Sequence, residues 1–274
     1  MDNAYESDIQ AILARRYDNG GDYWATPDGR LMKGSPFTTL DCALMLRELG
    51  MDPSDPILRE TADRIFGAWR EDGRFKLSPQ GAIYPCHTIN AARTLCHLGY
   101  ADDPRLQTTF EHLLATRHTD GGWRCNKFSY GRGPETESSN PGPTLTALDA
   151  FRFTEYLSND GLLADAVESL LSHWATRAPL GPCHYGIGTL FMQIAYPFSA
   201  YNLFFYVYVL SFYNTAKRDA RFLEALATLQ AKLRDGQIVV ERPNPRLASF
   251  ALCKKGEPSA LATARYRELL RNID

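Results

Sequence analysis

The chain has 274 residues, 44% of them hydrophobic and 23% charged, with a formal net charge of −2. This is the composition of an ordinary globular protein, and the charge balance excludes an electrostatic mode of nucleic-acid binding. The length supports one large core or two small ones.

Asp2, Glu6 and Asp8 interrupt the first 17 residues, so the N-terminus does not read as a signal peptide. A loop follows, Asn19-Gly20-Gly21-Asp22-Tyr23-Trp24, and then Ser35-Pro36-Phe37-Thr38-Thr39 opens a helix that closes at Leu49-Gly50. Proline suits a helix entrance because its missing N–H has no intrahelical partner there. Leu40 to Leu46 is apolar on most sides, except for Asp41. The next helix is apolar along one side only, through Leu58, Ala62, Ile65, Phe66 and Trp69.

The pattern then repeats. Asp72-Gly73-Arg74-Phe75 forms a loop, Tyr84-Pro85-Cys86-His87-Thr88 an entrance, and Ile89 to Leu98 a helix apolar on most sides. Leu106, Phe110, Leu113 and Leu114 form the second one-sided stripe, and Asp120-Gly121-Gly122-Trp123 the third loop. A third entrance is Pro141-Gly142-Pro143-Thr144, followed by a stripe of Leu163, Val167, Leu170, Leu171 and Trp174. The fourth is Tyr196-Pro197-Phe198-Ser199, with an aromatic helix over Leu203 to Tyr213 and a stripe of Phe222, Leu226, Leu229 and Leu233. A degenerate fifth starts at Pro245. The period is about 50 residues. Helices are expected over well over half of the chain, without a substantial sheet. One helix of each pair is buried on both faces and its partner on one, which describes an inner ring wrapped by an outer ring. The repeat is read as a single all-α domain over residues 1–274.

Residues 178–216 carry no Asp, Glu, Lys or Arg, and Ile194 to Tyr213 is long enough to span a bilayer. Pro197, Ser199, Asn202, Ser211 and five tyrosines in it favour a buried helix. The six cysteines are expected as reduced cytosolic thiols, because no export signal accompanies them.

Together, the Asp-Gly-Gly-Trp turn at 120–123, the 50-residue period and the alternation of inner and outer helices resemble the α/α toroid of squalene and hopene cyclases and of protein prenyltransferase β subunits. The resemblance runs from about Tyr17 to Leu233 and implies a toroid, open or closed, of about five hairpins. It implies an isoprenoid-handling enzyme with an apolar ligand in a central cavity, in some relatives with peripheral membrane contact or an α-type partner subunit. The Asp-x-Asp-Asp acid motif of class II cyclases is absent, and Asp102-Asp103 does not continue as a metal-binding aspartate motif. A non-catalytic lipid-binding or protein-interaction toroid is therefore the alternative.

In such a toroid the helix entrances surround one mouth, and the candidate chemistry gathers there. Cys86, Cys125 and Cys183, with His87 and His184, present the thiolates and imidazoles that hold zinc; small buried thiols and capping histidines are the competing reading. Arg124, Lys127 and Arg132 lie in the long polar loop from Cys125 to Pro143 and suit an anion such as a diphosphate, unless they pair with Glu135 and Glu137. Asp41, Asn90, Thr146 and Tyr201 share a position early in each inner helix and form a polar ring. Asp41 is the candidate general acid, since a carboxylate on an apolar helix needs a partner or a shifted pKa; the other reading is a cap or an arginine partner. His87 and His184 are further candidates for acid–base work. Asn90, Tyr201, Phe204 and Phe205 would line the ligand site, with aromatic faces suited to a cation.

Overall fold

The structure, a computed structural model, describes residues 5–126, 131–158 and 160–274. Among these residues the chain is all-helical, with twelve α-helices and 52% helix. This is closer to half than the repeat predicts, because the connecting loops are long. Pairing of extended backbone among the described residues is confined to isolated bridges such as Trp69 with Phe75. No helix among them is long and apolar enough to cross a membrane. Two compact units divide the chain: Met1–Ala115 with Asn244–Leu252, and Thr116–Pro243 with Cys253–Asp274.

The first unit holds α1 (Glu6–Leu13), α2 (Thr39–Glu48), α3 (Pro56–Phe66), α4 (Pro85–His97) and α5 (Pro104–Ala115). Helix α2 buries Thr39, Leu40, Cys42, Ala43, Met45 and Leu46, so it is covered on most sides. Helix α4 does the same, and the two pack on one another. By contrast, α3 buries Leu58, Thr61, Ala62, Ile65 and Phe66 along one stripe, and α5 buries Leu106, Thr109, Phe110 and Leu113. Asp8 is buried and accepts the backbone N–H groups of Ala251 at 3.0 Å and Leu252 at 2.9 Å. That carboxylate fastens the returning segment 244–252 onto α1.

The second unit holds α6 (Pro141–Phe151), α7 (Asp160–Thr176), α8 (Thr189–Met192), α9 (Leu203–Leu210), α10 (Asn214–Lys217), α11 (Ala220–Gln230) and α12 (Ala260–Ile273). Every residue of α6 except Thr146, and every residue of α9, is buried. Helix α11 buries one stripe, and so does α12.

The Asp-Gly-Gly-Trp turn shows why its residues stand in that order. Asp120 accepts the N–H groups of Gly122 and Ser139 and the Ser139 hydroxyl. Gly121 has φ +84, and a Cβ there would lie 2.6 Å from the backbone carbon of Asp165 in α7. A Cβ on Gly122 would meet Thr144 Oγ1 at 2.6 Å. The close approach lets the Trp123 N–H donate to Thr144 Oγ1 at 3.1 Å while its indole enters the core.

This clamp recurs. Phe75 N donates to Thr88 Oγ1 at 3.1 Å, and Ile238 N to Thr263 Oγ1 at 3.0 Å. At the first position the sense is reversed: Thr39 Oγ1 donates to Tyr23 O at 2.8 Å. Each threonine sits in the first turn of its helix, where it satisfies a buried loop group that the helix ladder cannot reach.

Two entrances differ from the sequence expectation. Pro197 does not open α9; Asn202 does, its Oδ1 accepting from Phe204 N at 3.0 Å and Phe205 N at 3.2 Å. An asparagine that satisfies two orphan N–H groups is a stronger helix start than a proline five residues upstream. Pro245 begins only a single 3₁₀ turn, and the last long helix starts after Ser259, whose hydroxyl caps Ala262 N.

Candidate functional site

In the first unit the site builds around Asp41. Thr38 caps α2: its Oγ1 accepts from Asp41 N at 3.0 Å and donates to Asp41 Oδ2 at 2.8 Å. Burial pushes the Asp41 carboxyl up from its ordinary value, against the opposing pull of the Thr38 and Ser35 hydroxyls and the Arg93 charge. Arg93 is itself buried, on α4. Asn90, one turn earlier, spends its amide on the Cys86 carbonyl at 2.7 Å. The His87 ring meets Tyr84 edge-on at 5.1 Å. Asp41 and Arg93 are thus brought to act on one another across the packed α2–α4 pair, while Asn90 serves its own helix.

In the second unit Tyr201 precedes the α9 cap instead of lying within the helix. Its hydroxyl and His173 Nδ1 are 2.9 Å apart, and His173 Nε2 lies 3.0 Å from the Ala178 carbonyl. A carbonyl can only accept, so Nε2 carries the proton and the Tyr201 hydroxyl donates to Nδ1. Burial lowers the His173 pKa and raises that of Tyr201, so both are neutral near pH 7. Phe204 and Phe205 are buried against Phe198, with ring centroids 4.9 and 5.1 Å away.

His184 occupies the tip of a turn closed by the Leu180 and Tyr185 backbones, with φ +50. Its Nε2 lies 3.3 Å from Glu135 Oε1. Arg124 donates to Thr136 O at 2.8 Å and pairs with Glu137 at 3.6 Å, so this cation is taken up by its own loop. Arg132 is exposed, and Lys127 lies outside the described residues.

Cys86 belongs to the first unit, and Cys125 and Cys183 to the second. All six cysteines are thiols. Among the described residues no group of three or more His, Cys, Asp or Glu is placed to hold a metal ion. The donor set therefore gives zinc no geometric support.

A second polar centre is not among the sequence-derived candidates. At the C-terminal end of α6, the capping residue Arg152 donates through Nε to Asp149 Oδ1 at 2.6 Å, with both side chains almost wholly buried. The Arg152 guanidinium covers Phe153 at 4.2 Å and Phe212 at 4.4 Å. On α9, Tyr208 donates to Glu268 of α12 at 2.9 Å, and Arg265 donates to the same oxygen at 2.8 Å. Burial opposes the Arg152 charge, but Asp149, Tyr208 and Glu268 together hold its pKa above the ordinary value.

The threonine clamp supplies the register that would have found this centre. Two residues after the clamp position stand Asp41, Asn90, Thr146 and Arg265, and five residues after it stand Arg93, Asp149 and Glu268. Tyr206 holds the clamp position in α9, which makes Tyr208, not Tyr201, the member of this series. No protein-family model matches the chain, and comparison with curated proteins finds no match.

Proposed function

We propose that the chain is an isoprenoid-handling enzyme of the terpenoid-cyclase or prenyltransferase type, built on an α/α toroid, open or closed, of about five hairpins. It takes an apolar ligand and uses Asp41 as its general acid. The alternation of fully buried and one-sided helices and the recurring loop-to-threonine clamp support the toroid. Asp41 carries the functional reading: its carboxyl sits on a helix buried on most sides, is oriented by the Thr38 hydroxyl, and is biased by burial towards its protonated form. A carboxylic acid in its protonated form can deliver its proton to an alkene, leaving a carbocation on the ligand and a carboxylate that Arg93 stabilises.

The second reading, a non-catalytic lipid-binding or protein-interaction toroid, is favoured by the closed packing of Tyr201, Phe204 and Phe205 and by the self-paired Arg124. Incubation with linear isoprenoids and isoprenoid diphosphates, with products read by mass spectrometry, decides between them. Turnover by the wild type that Asp41→Asn abolishes, with thermal stability retained, supports the enzyme. Absence of turnover with every substrate sinks it, and a variant with unchanged turnover removes Asp41 from the mechanism.

A further inference from the structure

In the first unit a groove of about 420 Å³ lies between two tight turns. One turn runs from Thr26 to Arg30, closed by Thr26 N to Arg30 O at 3.2 Å and Gly29 N to Thr26 O at 2.9 Å. The other runs from Ala68 to Lys76, closed by Lys76 N to Ala68 O and Arg70 N to Arg74 O, both at 2.8 Å. Leu31 N to Leu77 O, at 2.9 Å, joins the two. Trp69 and Phe75 face one another across the second turn, and Phe75 is fully buried. Side chains alternate along paired extended backbone. Arg70 and Lys76 therefore project to the opposite side from Phe75, and both line the groove.

The charges there are not cancelled locally. Asp22 is the groove's carboxylate, and it is already engaged by both Arg16 donors and by Tyr23 N. Arg64 lies 3.9 Å from Asp22 and over the Tyr23 ring. Among the described residues the side chains of Arg70 and Lys76 make no hydrogen bond or ion pair. The walls are otherwise small or rigid (Gly21, Gly29, Gly67, Ala68, Pro27 and Pro79), which leaves room for a compact anion close to the backbone.

The second unit has a groove of similar size at the corresponding place, where a loop preceding a buried helix meets a one-sided helix. It is lined instead by Asp120, Asp165, Glu168 and hydroxyl groups. The fold therefore requires no positive charge at this place.

We infer that the first-unit groove binds a phosphate-bearing anion through Arg70 and Lys76, with Arg64 beside them. Phosphate accepts from several donors at once, and hydrogen bonds from charged donors to it are stronger than neutral ones. This inference does not depend on the role of Asp41. The anion can be a free phosphate compound or a phosphomonoester headgroup, and two arms of one experiment separate these. Inorganic pyrophosphate is titrated into the protein by calorimetry, and co-sedimentation is measured with phosphatidylcholine vesicles with and without phosphatidic acid.

Binding in either arm should weaken about tenfold or more in Arg70→Gln/Lys76→Gln, the loss of one or two charge-assisted hydrogen bonds, with circular dichroism unchanged. Arg74→Gln, which removes a cation already paired to Asp72, should bind as the wild type does. If the double variant misfolds, Arg70→Gln alone provides the test, since its side chain is exposed. Pyrophosphate binding alone identifies a free phosphate ligand; binding only to phosphatidic acid identifies the headgroup. No binding in either arm, undiminished binding by the substituted protein, or an equal loss in Arg74→Gln overturns the inference.

Discussion

Asp41 is half-buried and His173 fully buried, and desolvation moves their stability contributions with pH in opposite directions. Asp41 has a folded-state pKa above its ordinary 3.8. The folded state therefore holds more protons than the unfolded chain between those two values, and stability contributed by Asp41 falls as pH rises through that window. Asp41→Asn keeps a polar group for Thr38 and removes the charge, so its melting temperature should gain on the wild type as pH rises from about 4 through the folded-state pKa. Thermal melts across that range check this; parallel curves would contradict it. His173 has a folded-state pKa below its ordinary 6.5. Here the unfolded chain binds the extra proton, so stability falls as pH drops below about 6.5, until the folded pKa is reached. His173→Gln should flatten that part of the profile. A single residue cannot carry the whole acid response, so the diagnostic is the difference between variant and wild type at each pH.

At the scale of elements, the recurring clamp is the feature most open to test. Thr144 is fully buried, and its hydroxyl is the acceptor for Trp123 N. Thr144→Val keeps the shape and deletes the acceptor, leaving a buried N–H without its partner. The expected loss is about 1–3 kcal/mol, read as a lower urea midpoint. A change below a few tenths would mean that water or a neighbour replaces the hydroxyl. The helices themselves were legible in sequence because one-sided and all-round apolar patterns report burial directly. α2, α4 and α6 begin where Thr38, Pro85 and Pro141 indicate. The fourth entrance was misplaced because asparagine capping at Asn202 depends on side-chain geometry that proline spacing does not report. That error moved Tyr201 into the helix register and hid Tyr208. The Arg152–Asp149 pair was illegible for a different reason. An arginine three residues after an aspartate usually signals a solvated helix face, and only the packing of α6 shows it to be buried.

For the whole chain, the division into units is discontinuous. Residues 244–252 belong to the first unit although residues 116–243 of the second intervene. Polar contacts hold this returning segment through Asp8, which accepts the N–H groups of Ala251 and Leu252, and through Arg246, which donates to the carbonyls of Gly34 and Ser35 at 2.8 Å each. Asp8→Ala leaves two backbone donors without their carboxylate, at about 1–3 kcal/mol each if they stay dry. Trypsin should then cut at Arg246 sooner than in the wild type, an outcome that timed digestion and mass spectrometry can read; equal cutting times would show that Asp8 does not hold the segment. The same arrangement sets an order in time during synthesis. A ribosome finishes α1 to α5 early, then makes residues 116–243 before the piece that completes the first unit emerges. Throughout that interval the nascent chain carries Asp8 without its partners and Phe37 without the Phe250 ring that packs against it at 6.0 Å. A gene cut after residue 115 would leave its first product in that unfinished state permanently, and only a peptide spanning residues 244–252, supplied separately, could complete it.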